Sequence, residues 1–171
     1  MRFKVVSAAC SHMGLLRDNN EDNFYLNGQY MFKEAMDTGG LFRASSKAKR
    51  QVYAVCDGMG GEEAGEEASY KAASMVERLH KCLADGGDLY KSIDTYTYYA
   101  NKGVFELKKT GNTGTTLCLV CIHGDRATAA WLGDSRVYLM RGGTLKQITK
   151  DHTETQRLMD VGILTPEQAK K

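Results

Sequence analysis

The chain has 171 residues, with Lys+Arg 23 against Asp+Glu 21 for a net charge of +2, 42% hydrophobic residues and 26% charged residues. That length suits one domain with a real core, and the near-neutral balance argues against a protein built to coat nucleic acid or an anionic membrane. No apolar run approaches the roughly 20 residues of a membrane-spanning helix. Met1–Val6 has polar residues at each turn and lacks the apolar stretch of a signal peptide, so a cytoplasmic protein is expected.

In chain order, 3–10 and 23–26 read as strands joined by a polar loop. Residues 27–51 read as a long connection containing Gly39-Gly40 and a basic stretch of Arg43, Lys47, Lys49 and Arg50, either a dock for something acidic or a solvated loop. Val52–Cys56 is a compact apolar strand running into Asp57-Gly58-Met59-Gly60-Gly61. A helix follows over 62–84, with Ala68, Ala72, Met75, Val76, Leu79 and Leu83 on one face. A second helix is predicted over 89–109, with Tyr90, Ile93, Tyr96, Ala100, Val104 and Leu107 inward. From Thr115 the period falls towards 2, and 115–123, 127–132, 136–140 and 145–148 read as a four-stranded antiparallel meander. The tail is helical and then polar, with Pro166 opening a last turn. The order of elements gives an α+β fold with helices packed on antiparallel sheet.

Of the five cysteines, Cys118 and Cys121 form a C-x-x-C that a zinc or redox site would also use. On a strand, residues three apart face opposite sides, so core thiols are expected. Arg17-Asp18-Asn19-Asn20-Glu21-Asp22 sets an arginine fork suited to phosphate beside carboxylates suited to a hard cation. Asp57 at a strand end, followed by glycines, suits Mg²⁺ or Mn²⁺; alternatively, a glycine-rich turn could cradle a nucleotide phosphate, although the lysine and Ser/Thr of a phosphate loop are missing. Gly133-Asp134-Ser135-Arg136 reads as a tight turn. His12, His80, His123 and His152 are not assigned to catalysis; His80 is expected on a helix surface and His152 beside the site.

Taken in order, these stretches resemble the metal-dependent serine/threonine protein phosphatases of type 2C in their bacterial form. The carrying residues are Gly14-x-x-Arg17-x-x-Asn20-Glu21-Asp22, Val55–Gly61 with Ala64-Gly65-Glu66-x-Ala68-Ser69, Gly114-Thr115-Thr116, Trp131–Tyr138, and Ile148–Thr153 with Gly162–Ala169. The resemblance implies an α+β fold of two antiparallel sheets in a β-sandwich flanked by paired helices. It implies hydrolysis of phosphoserine and phosphothreonine in proteins by a water bridging two Mg²⁺ or Mn²⁺ ions, with a third, weaker ion. Asp57 and Gly58 would be direct ligands, Glu21 and Asp22 would act through water, and Asp134 would serve the third ion. Arg17 would bind substrate phosphate, and Met59, where some relatives carry a histidine, would leave protonation to water. Implied partners are a phosphoprotein and an opposing Ser/Thr kinase.

The family's two further ligand aspartates lie in C-terminal segments that these residues do not contain. The expectation is therefore a single domain over 1–171, incomplete at its C-terminal side, with a flap segment at about 149–171 and without the C-terminal strands. Two alternatives stay open. One is a piece of a longer phosphatase with reduced or no activity of its own. The other is a non-catalytic module that binds phosphoproteins or a partner on the same fold, with open sheet edges through which it could dimerise.

Overall fold

The computed structural model describes residues 3–60, 65–107 and 113–170. Among the described residues, nine strands and three α-helices follow in order: β1 (Val5–Ser11), β2 (Asp22–Leu26), β3 (Gly40–Ser46), β4 (Arg50–Met59), α1 (Gly65–Ala84), α2 (Leu89–Phe105), β5 (Gly114–Thr115), β6 (Leu117–His123), β7 (Arg126–Leu132), β8 (Tyr138–Arg141), β9 (Thr144–Gln147) and α3 (Glu154–Asp160). The central sheet runs β2-β4-β6-β7, all antiparallel, with β5 also on β4.

Period-2 alternation sorts β4 into two faces. Val52, Ala54 and Cys56 join Tyr25, Leu117, Leu119 and Cys121 in a core covered by Ala72, Ala73, Val76, Leu79 and Leu83 of α1 and Ile93, Tyr96 and Ala100 of α2. The opposite face carries a second core of Phe24, Leu26, Met31 and Met36, capped by Ala9, Phe42 and Ala44 of a β1–β3 ribbon. Phe24 and Phe42 meet at 4.9 Å between ring centroids. Helix pair, central sheet and ribbon therefore stack as successive layers, the arrangement expected of a sandwich with helices on its outer face.

Several expectations change. The 27–51 connection is not a plain loop: Gly40–Ser46 pairs with β1, so Arg43 is a strand residue opposite Ala8, and Arg50 opens β4. The meander breaks in two, because β6 pairs β7 and β8 pairs β9, while β7 and β8 do not pair among the described residues. Gly133, at φ +95°, turns the chain away after β7. Tyr90 faces solvent, 70% exposed, rather than inward. His80 is half-buried rather than on the surface, because its edge of the α1 stripe meets β2: Nδ1 lies 2.9 Å from the Tyr25 hydroxyl, and burial lowers its pKa. Cys56, Cys118 and Cys121 are buried free thiols, with Cys118 opposite Val55 and Cys121 opposite Val52, on opposite faces as expected. Gly61 of the glycine-rich turn, and residues 62–64 and 108–109 of the predicted helices, lie outside the described residues. No described helix is long and apolar enough to cross a membrane.

Candidate active site

The β2–β4 register sets Asp22 directly opposite Asp57. Cross-strand partners share a face with Cβ atoms about 5 Å apart, and like charges so placed repel. Since Cys56 is committed to the helix-side core, Asp57 must emerge on the other face, where both carboxylates are exposed. The cost shows at Asp22, whose pKa is raised above its ordinary 3.8, first by partial burial, then by the charge of Asp57 and a hydrogen bond with it, then by Glu21.

Glu21 is locked to the same place by two glycines. The Gly58 N–H donates to the Glu21 carbonyl at 3.1 Å. A Cβ on Gly58 would lie 2.1 Å from the Gly65 carbonyl oxygen and 2.6 Å from that of Glu21, while a Cβ on Gly65 would lie 2.3 Å from Glu21 Oε1. At Gly58 the blocking atoms are backbone, so only glycine lets strand, loop and α1 meet this closely, whereas at Gly65 the Glu21 side chain would have to turn away.

Asn20 organises the loop, a role the sequence reading did not assign. Buried to 3% exposure, its Nδ2 donates to Ser11 Oγ at 2.8 Å and to the Met36 carbonyl at 2.7 Å. Its Oδ1 accepts the Asp22 N–H at 3.1 Å, and its own N–H donates to Asp37 Oδ1 at 2.9 Å. Thr116 is a second unanticipated anchor. Its Oγ1 accepts the Asp57 N–H at 3.0 Å, its N–H donates to the Asp57 carbonyl at 2.8 Å, and its hydroxyl meets Ser135 Oγ at 2.7 Å. That chain ties the Asp134 turn to the backbone of Asp57. The turn is held again from 149–152. The His152 N–H donates to the Gly133 carbonyl at 2.9 Å, and its ring stacks on Trp131. Asp151 accepts a fork from Arg136, with Nε at 2.8 Å, and its pKa falls in consequence.

The structure thus brings Glu21, Asp22, Asp57 and Gly58 together, and links Asp134 to them through Ser135 and Thr116. Asp134 is itself exposed. Arg17 does not touch the carboxylates: it is exposed, five residues before Asp22, and forms no ion pair among the described residues. Among the described residues no three His, Cys, Asp or Glu side chains converge tightly enough to hold an ion unaided. An all-oxygen set of facing carboxylates beside backbone carbonyls nevertheless fits a hard divalent cation that keeps several waters.

The repulsion makes a testable prediction. Asp22→Asn is expected to raise the melting temperature in EDTA, by no more than about 3 °C because solvent screens the pair. The sign follows from the raised pKa: the penalty is absent below 3.8 and grows as pH rises through the higher folded value. The gain should therefore appear near pH 7 and vanish in acid; an unchanged or lower melting temperature at pH 7 would contradict the repulsion.

Comparison with known proteins decides the family. Residues 11–158 match the family model described as protein phosphatase 2C. The chain belongs to the protein phosphatase 2C family. Among its relatives, the serine/threonine protein phosphatase PstP of Mycobacterium tuberculosis is 36% identical over 166 residues, covering 95% of this chain and 28% of that protein. The protein phosphatase PhpP of Streptococcus pneumoniae is 30% identical over 164 residues, covering 92% of this chain and 59% of that one. A crystal structure of the PstP catalytic domain in complex with two manganese ions superposes with a TM-score of 0.72 at 34% identity, covering 97% of this chain and 64% of that one. The chain thus spans less than two thirds of the length of these phosphatase 2C relatives.

Proposed function

We propose that this site hydrolyses phosphoserine and phosphothreonine in proteins with Mg²⁺ or Mn²⁺. The supporting observation is the Asp22–Asp57 cross-strand pair, a repulsive arrangement that a cation would relieve. Asp57 and the Gly58 carbonyl would be direct ligands, Glu21 and Asp22 would hold metal-bound waters, and Asp134 would serve a third ion. Divalent cations bound there would supply an activated water and polarise the phosphoryl oxygens. Arg17, on its exposed loop, would fork onto the substrate phosphate and orient it. Met59, 55% exposed, offers no acid, so the leaving oxygen takes its proton from solvent.

The partners on this reading are a phosphoprotein and, by analogy, an opposing Ser/Thr kinase. We infer further that these 171 residues alone turn over slowly or not at all, because so few anionic ligands bind two ions weakly. A module that binds phosphoproteins without hydrolysing them shares this observation and is separated from the first reading by assay. Phosphate release from p-nitrophenyl phosphate, with and without Mn²⁺, tests the proposal. Any turnover should require Mn²⁺, and Arg17→Ala should raise KM more than it lowers kcat. Turnover in EDTA equal to that in Mn²⁺ would contradict it.

A further inference from the structure

The basic stretch at 47–50 takes no part in the site above. Arg50 stands at the other end of β4 from Asp57, about 23 Å away for seven residues of strand. Register sets Arg50 opposite His123, and His123 opposite Arg126, so three cationic or ionisable side chains form one row across β4, β6 and β7. All three share the helix-side face and line a cleft of about 490 Å³ whose other walls include Gly87, Tyr90 and Thr128. The Arg50 guanidinium is held in place: Nη1 donates to the carbonyls of Leu83 and Gly87, the latter at 2.7 Å, and among the described residues Nε and Nη2 have no hydrogen-bond partner. Arg126 is exposed and forms no ion pair among the described residues.

One carboxylate, Asp88, also lines the cleft, but its oxygen is engaged in capping α2 by accepting the Lys91 N–H at 2.9 Å. Lys49 lines a separate pocket with Lys47 and Gln51 and adds no charge to the cleft; its carbonyl accepts the Gly124 N–H at 3.0 Å in the β6–β7 turn. Two arginines with fork geometry beside an imidazole match a tetrahedral dianion better than a single carboxylate.

We propose that this cleft binds a phosphoryl dianion at a site remote from Asp22 and Asp57, carried by a phosphorylated protein side chain or as free phosphate. The proposal stands apart from the catalytic reading and does not need it. It is tested by following amide shifts of the 171-residue chain in EDTA, which stops metal-dependent turnover. The probes are inorganic phosphate, a phosphothreonine peptide and the same peptide unphosphorylated. Saturable shifts at 87–90 and 123–128 with a phosphorylated probe, weakened at least tenfold by Arg126→Glu, are expected. The Arg126 side chain makes no hydrogen bond or ion pair among the described residues, and its backbone pairing with His123 survives substitution, so Arg126→Glu should remain folded, which its unchanged spectrum elsewhere would verify. Phosphate and phosphopeptide acting alike would identify the free anion as sufficient; the peptide alone acting would identify a phosphorylated side chain. Equal binding of the unphosphorylated peptide, shifts confined to other residues, or full binding by Arg126→Glu would each overturn the proposal.

Discussion

Gly58→Ala is expected to leave the chain largely unfolded. The added Cβ would sit 2.1 Å from the Gly65 carbonyl oxygen, 2.5 Å from its carbon and 2.6 Å from the Glu21 carbonyl oxygen. All three atoms are backbone, so no side-chain rotation relieves the overlap, and β4, the Glu21 loop and the start of α1 must separate. That separation also costs the Gly58 N–H its hydrogen bond to Glu21. Overpacking of this kind costs about 3 kcal/mol or more, a large share of the roughly 5–15 kcal/mol that holds a domain together. Gly114→Ala is the matched control, since its Cβ would meet only Met59 Cγ at 3.7 Å. Urea unfolding should show Gly58→Ala losing its cooperative transition or most of its midpoint, with Gly114→Ala much closer to the parent. Equal midpoints for the two variants would refute the close-approach argument.

Asp57→Asn is the second large effect, and it falls on function rather than folding. Asp57 is exposed, and both of its backbone hydrogen bonds to Thr116 run through main-chain atoms that the substitution leaves intact. The amide is close in size and also removes one of two facing charges, so stability should hold or rise. What disappears is the anionic oxygen that a hard cation needs. Mn²⁺-dependent phosphate release, in this chain or in a longer one carrying the same site, should fall by at least about 100-fold. Retention of Mn²⁺-dependent turnover in a folded Asp57→Asn protein would remove Asp57 from the metal site.

Much of this arrangement was legible in the sequence, and what was not has a common cause. The α1 stripe, the apolar β4 and the opposed faces of Cys118 and Cys121 follow from local periodicity, which a strand or helix expresses wherever it sits. Pairing is non-local. Gly40–Ser46 becomes β3 only because β1 lies beside it; Phe42 and Ala44 alternate on one face, but Leu41 on the other and the flanking basic residues blur so short a signal. Likewise β8 and β9 pair with each other and not with β7, a choice that depends on the turn at Gly133. Glu21, Asp22, Asp57 and Gly58 were nameable from residue type and resemblance, but the fact that Asp22 and Asp57 face each other is a statement about register. Asn20 and Thr116 went unassigned because their work is hydrogen bonding to partners distant in sequence, Met36 and Ser135 among them. His80 gave no sign of burial because Tyr25, its partner, lies 55 positions away.

The central claim is that β-sheet register builds a cation site from Asp22 and Asp57. Calorimetric titration of Mn²⁺ into the 171-residue chain, beside Asp57→Asn, tests it most directly. The account predicts saturable binding that EDTA reverses and that Asp57→Asn weakens by at least about 100-fold while remaining folded. Mn²⁺ binding of equal strength in the two proteins would contradict it.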